Sequence, residues 1–118
     1  MPVEEYVDNE SLDMLKDVMA EEFEELLELY VEDASQHLQD LDQAVADGDC
    51  SAVTKISHSL KGASSNIYAR CMAATCLELE DASRGMTENP DWDQLAELLN
   101  RVKACYQETR RLLLALIA

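Results

Sequence analysis

The chain is predicted to be all-α: an antiparallel up-and-down four-helix bundle with an additional short N-terminal helix. Two observations carry that prediction. Only 3 glycines and 2 prolines interrupt 118 residues, and Ala, Leu and Glu abound while β-branched residues are few, a composition that favours helix. Apolar residues also recur at three- and four-residue intervals along four long segments joined by short polar ones, as in helices that each bury one face. A chain of this length fits one domain, 1–118, with enough interior to fold without metal or disulfide staples. No repeat or low-complexity tract divides it, and Met1 together with this length suggests a free-standing protein.

Each element has its own signal. Residues 1–9 are polar and expected to be frayed. Glu10 to Met19 forms a short helix with Leu12, Leu15 and Met19 on one side. A long helix follows from about Ala20 to Ala46, with Phe23, Leu27, Tyr30, Ala34, Leu38, Leu41 and Val45 at helical spacing. Its early glutamates, Glu21, Glu22, Glu24 and Glu25, suit a solvated helix start and the macrodipole. Asp47-Gly48-Asp49 stops it, and Asp49 or Ser51 caps the next helix. That helix carries the stripe Val53, Ile56, Leu60, Ala63 and Ile67 and lasts to about Ile67. A fourth, about Arg70 to Met86, buries Met72, Cys76, Leu79 and a small residue at Ala82 or Ser83. Thr87-Glu88-Asn89-Pro90-Asp91 is a loop by composition. The last helix starts near Trp92, with Leu95, Leu99, Val102, Tyr106, Thr109, Leu113 and Leu116 in a heptad-like row. Leu112, Leu113, Leu114 and Ile117 exceed what one face needs. The N-terminal helix is expected to cover them, a docking or dimer surface being the other reading.

Charge narrows the partners. The formal net charge of −16 argues against nucleic acid and against anionic membrane surfaces. Between Cys50 and Leu77 there are three basic residues, Lys55, Lys61 and Arg70, and no acidic one, so this window carries +3 and the remainder −19. A partner with an acidic active site would be drawn to the window and turned away elsewhere. The N-terminus has neither a basic region nor an apolar core, so no signal peptide is expected, and the longest apolar run is too short to cross a bilayer. The four cysteines, Cys50, Cys71, Cys76 and Cys105, contain no C-x-x-C and read as reduced thiols of a cytoplasmic protein. No metal site is expected. Neither histidine is preceded at three residues by glutamate, and Cys71 and Cys76 point to different faces. A phosphate-cradling glycine loop is also lacking.

The most informative segment is Ser57-His58-Ser59-Leu60-Lys61-Gly62. Leu60 lies on the apolar stripe, and at about 100° per residue His58 points to the opposite, solvent side. Gly62 lies one turn on, although glycine within a helix costs about 1 kcal/mol relative to alanine. Clearance explains it: a second surface can come close to the imidazole. Lys61 supplies positive charge where an anion would arrive, Lys55 lies about one turn before His58, and Ser65 lies about one turn beyond Gly62. His37 has no such surroundings and reads as structural or solvated.

The run from His58 to Asn66 resembles the histidine-containing phosphotransfer (HPt) family of two-component phosphorelays, in which the histidine is followed by an apolar residue, lysine and glycine. Leu26 to Asp49 and Ala69 to Ala82 look like the helices before and after the site. The resemblance implies a phosphocarrier and not an enzyme. His58 would accept a phosphoryl group from a receiver-domain aspartyl phosphate and pass it to another receiver aspartate. Lys61 would offset and steer the phosphate, and Lys55, Gly62 and Ser65 would meet the partner. It further implies no cofactor of its own, Mg²⁺ on the partner receiver, hybrid sensor histidine kinases among the partners, and a monomer. Some members orient the imidazole with a carboxylate or amide 22 residues further on, here Glu80; a salt-bridged surface glutamate is the alternative. One position departs from the pattern. Members commonly end the site helix on glycine ten residues after the histidine, where this chain has Tyr68. A left-handed cap is unfavourable for tyrosine, so the helix is expected to run on or turn differently. A non-phosphorylated helical adaptor is the competing functional reading.

Overall fold

A computed structural model describes residues 3–86 and 88–118. Among these residues there are six helices and no strand: α1 (Val3–Tyr6), α2 (Asn9–Met19), α3 (Glu22–Ala46), α4 (Cys50–Asn66), α5 (Arg70–Arg84) and α6 (Trp92–Ala115). Helices α3 to α6 pack in a ring, each against the helices before and after it, as expected of an up-and-down bundle. The α4–α5 pairing is the most extensive. Helix α2 lies against α3, and α1 packs on α5 and α6.

The apolar rows found in the sequence form the core. Leu27, Leu41, Val53, Leu60, Met72, Leu79, Leu95, Val102 and Leu113 are wholly or almost wholly buried. Burying each such side chain contributes about 1.5–3 kcal/mol. Helix starts follow the capping rule. Asp8, Asp49 and Asp91 each accept a hydrogen bond from a backbone N–H three residues on, in Ser11, Ala52 and Gln94.

Several expectations need correction. Residues 5–9 are not frayed: Val7 is 1% exposed within the core, and Asp8 N–H donates to the Tyr68 carbonyl at 3.0 Å. An apolar side chain with a buried slot to fill outweighs polar neighbours. Met1, Pro2 and Thr87 lie outside the described residues. The long helix begins at Glu22 and not at Ala20, because Ala20 turns the chain with φ 51°. Helix α5 ends at Arg84 rather than Met86, and Gly85 caps it. On α4 the inward face centres on Ser57 and Ser64, both fully buried, while Ile56 and Ala63 are only partly covered. Ser57 Oγ donates to the Val53 carbonyl at 2.6 Å, and Ser64 Oγ pairs with the Tyr30 hydroxyl at 2.7 Å. Local hydrogen bonds let these small polar residues occupy the core.

Helix α4 also ends differently from expectation. It neither runs on nor finds another turn: Tyr68 takes φ 61°, the conformation glycine would adopt there. Tyr68 N–H bonds the Ser65 carbonyl at 3.1 Å and Ala69 N–H the Ser64 carbonyl at 2.9 Å, the two bonds of a Schellman cap. Of the cysteines, Cys71 and Cys105 are paired as a disulfide between α5 and α6, with Cα atoms 6.3 Å apart, whereas four thiols were expected. Cys50 and Cys76 are free and buried. Burial pushes the Cys76 thiol up to about 12, so it packs as a small apolar group. The apolar C-terminal residues are covered: Leu112, Leu116 and Ile117 pack against the core, and Leu116 and Ile117 share a hollow with Lys16, Ala20 and Phe23 at the α2–α3 junction.

Positive φ at Ala20 strains an L-residue by about 1 kcal/mol or more. Ala20→Gly is therefore expected to stabilise the protein by about 1 kcal/mol, even after the greater freedom glycine gives the unfolded chain. Urea denaturation of both proteins checks this; an unchanged or lower midpoint would contradict it.

Candidate functional site

The site is built where α4 and α5 run side by side. Buried small residues allow that approach: Ser57 on α4 and Ser83 on α5 are both fully buried. Thr54 Oγ1 and Ser83 Oγ lie 2.7 Å apart, and Cys50 Sγ donates to the Ser83 carbonyl at 3.1 Å. These bonds fix the register of the two helices one turn from His58.

His58 projects outward with 64% of its side chain exposed, as its position opposite the stripe requires. Glu80, on α5, lies beneath it at 2% exposure, so it is not a surface glutamate. Its position on the inner edge of α5 leaves the carboxylate between the two helices. Such a group needs donors, and three arrive. His58 Nδ1 is 2.9 Å from Oε2, Lys61 Nζ is 3.0 Å from Oε1, and Arg84, one turn further along α5, reaches Oε2 at 2.5 Å. Burial alone would raise the Glu80 pKa, but the ion pair with Lys61 and the hydrogen bonds with His58 and Arg84 outweigh it and hold it at about 2. The carboxylate is thus ionised at neutral pH and can only accept hydrogen bonds. In the neutral imidazole the proton then sits on Nδ1, and Nε2 is the nitrogen with a free lone pair.

Other expected residues are placed less directly. Lys55 shares an open hollow with Thr54, His58, Ser59 and Arg84. Gly62 is exposed, and a Cβ built on it would meet nothing within 4 Å, so the fold itself does not demand glycine there. Ser65 is exposed beyond it but lines a separate hollow with Asp8, Tyr68 and Arg70. His37 lies apart on α3, its Nδ1–H donating to the Asp33 carbonyl at 2.7 Å. Arg84 was not anticipated. Its spacing of four from Glu80 was the available signal, since oppositely charged residues at i and i+4 face each other on a helix. Among the described residues no group of three or more His, Cys, Asp or Glu is arranged to hold a metal, and no helix is long and apolar enough to cross a membrane.

The low Glu80 pKa has a consequence for stability. The folded carboxyl binds its proton near pH 2 and the unfolded one near 4.5, so folding is favoured by its ionisation above pH 4.5. That contribution is lost as pH falls towards 2. It amounts to about 2 kcal/mol, less than the shift alone implies because His58 and Arg84 are largely solvated. Glu80→Gln should therefore show a flatter fall in urea midpoint between pH 5 and pH 2 than the parent. Parallel curves would show that Glu80 is not held ionised by its neighbours.

The same geometry can be set beside known proteins. The family model described as "Hpt domain" matches residues 25–111, which include His58, Lys61, Glu80 and Arg84. Among solved structures, the chain is similar to histidine-containing phosphotransfer protein B (HptB) from Pseudomonas aeruginosa PAO1. The TM-score is 0.84 at 30% sequence identity, over 92% of this chain and 90% of that one. Among curated protein sequences none matches. Most of the chain, including the whole α4–α5 site, thus follows one pattern: it belongs to the Hpt domain family, non-catalytic phosphocarriers that relay phosphoryl groups between receiver domains.

Proposed function

We propose that His58 is the phosphoacceptor and that its Nε2 is the reacting atom. The observation that carries this is the bond between His58 Nδ1 and an ionised, buried Glu80. It supports a single tautomer, with the Nε2 lone pair directed to solvent. In the forward step Nε2 attacks the phosphorus of a receiver's aspartyl phosphate. The N–P bond forms as the acyl P–O bond breaks, and the aspartate leaves as carboxylate with the electron pair. The Nδ1 proton remains on the ring, hydrogen-bonded to Glu80, which stabilises the positive charge the ring acquires. Transfer to the next receiver is the reverse of this step. Such a transition state needs alignment and charge stabilisation more than covalent chemistry from the protein. Lys61 and Arg84 stand ready to offset phosphate charge from this side, and the receiver brings its acidic pocket and Mg²⁺ from the other.

The partners we assign are receiver domains, including those of hybrid sensor kinases, met by a monomer that forms one domain in the cytoplasm. The acid-free window from Cys50 to Leu77 favours them over nucleic acid or anionic membrane. Gly62 and the exposed Ser59 and Ser65 leave the surroundings of His58 low enough for a flat partner surface to approach. Lys55 adds charge at the rim. The adaptor reading has less support, because an adaptor has no need for a buried carboxylate that selects one imidazole tautomer.

His58→Gln is expected to abolish acid-labile labelling by a phosphorylated receiver while the bundle stays folded, and His37→Gln should label normally. Label retained on His58→Gln would overturn the assignment.

Gly62→Gln should be at least as stable as the parent by thermal unfolding, since glutamine is the better helix former by up to about 1 kcal/mol and its Cβ meets open space. Its transfer should nevertheless be slower by tenfold or more, because the longer side chain stands in the partner's path. Equal transfer rates would remove Gly62 from the site.

A further inference from the structure

Tyr68 is an outlier that the fold does not explain. At φ 61° it occupies the left-handed position of the Schellman cap that closes α4. A bulky residue there is strained, and glycine or asparagine would close the same two hydrogen bonds without that cost. The side chain keeps 39% of its surface exposed while its neighbours Ile67 and Ala69 are buried at 3% and 0%. A strained residue that holds part of its ring at the surface points to use there.

Its position says what that use is. Tyr68 lines one hollow with Asp8, Ser65, Ala69 and Arg70, in which the Arg70 guanidinium is paired with Asp8 at 2.9 Å, and Ser65 follows Gly62 and His58 along the exposed side of α4. Ten residues of helix place it about 15 Å from His58. A partner burying about 800 Å² per side covers a patch about 30 Å across, so a receiver seated on His58 reaches Tyr68. A half-exposed tyrosine held in one backbone conformation is a low-entropy anchor of the kind that dominates protein interfaces.

We infer that Tyr68 is a specificity-determining contact for the receiver domain, made on the far edge of the docking face and separate from the phosphoryl chemistry. The inference rests on the phosphocarrier reading. It assigns Tyr68 to recognition, so its loss should change the receiver concentration needed and leave the transfer step itself alone.

The test uses the full chain and receiver domains from the source organism, each charged with acetyl phosphate; the one that labels the parent fastest is the probe. Tyr68→Gly and Tyr68→Asn are expected to have higher urea midpoints than the parent. They should also require about tenfold more receiver for half-maximal transfer, with the rate at saturating receiver unchanged. Tyr68→Phe should behave nearly as the parent. An unchanged concentration dependence in the glycine and asparagine variants overturns the inference, as does a lower midpoint in both, which would show that the ring is needed for packing. A parent chain that no receiver labels overturns the phosphocarrier reading and this inference together, whereas the preceding outcomes, with the parent labelled, fall on Tyr68 alone.

Discussion

A carboxylate taken out of water must be met by donors or give up its charge, and Glu80 imposes that condition on the whole α4–α5 face. At 2% exposure its two oxygens are reached by an imidazole, an ammonium and a guanidinium. None of the three donors is equally buried, so the carboxylate forms the floor of the site and the cations its rim. The exposed imidazole inherits its orientation from a group that solvent cannot reach. Preorganisation of this kind holds the histidine ready at an exposed position, which suits the phosphoacceptor role proposed for it.

Bringing Glu80 under His58 requires α4 and α5 to approach closely. Buried serines on both helices make that possible, and each satisfies its hydroxyl within hydrogen-bond reach: Ser57 on its own helix, Ser64 on Tyr30, Ser83 on Thr54 and the Glu80 carbonyl. Larger apolar residues at these positions would bury more surface and push the helices apart. The N-terminal residues contribute from the far end, where Asp8 joins the Tyr68 carbonyl, the Ser11 amide and the Arg70 guanidinium and so ties the α1–α2 junction to the α4–α5 turn.

What could be read from the sequence was what depends on local periodicity. The rows on α3 and α6, the Asp49 cap and the outward direction of His58 follow from residues within a few turns of one another. What could not be read depends on distant partners or on residues with no hydrophobic signature. Ser57 and Ser64 look like surface residues until their hydroxyls are seen to be satisfied by the Val53 carbonyl and by Tyr30. Glu80 reads equally well as a solvated charge, because two of its three partners lie 19 and 22 residues earlier. Cys71 and Cys105 are separated by 34 residues, and Val7 stands in a run whose polarity hides it. Tyr68 failed for another reason: the rule that disfavours tyrosine at a left-handed cap is sound, yet the chain closes the cap there with the same two backbone hydrogen bonds that glycine would make.

The pairing around Glu80 also determines how the face changes when it carries its cargo. With the imidazole neutral, Lys61, Arg84 and Glu80 sum to a formal +1. A phosphoryl group adds about −2, so even with the ring protonated the cluster moves from positive to neutral. On the assignment proposed for His58, the attraction that brings an acidic receiver to the empty carrier is weakened by the act of loading it, so the charge balance of the face itself favours release once the cargo has moved.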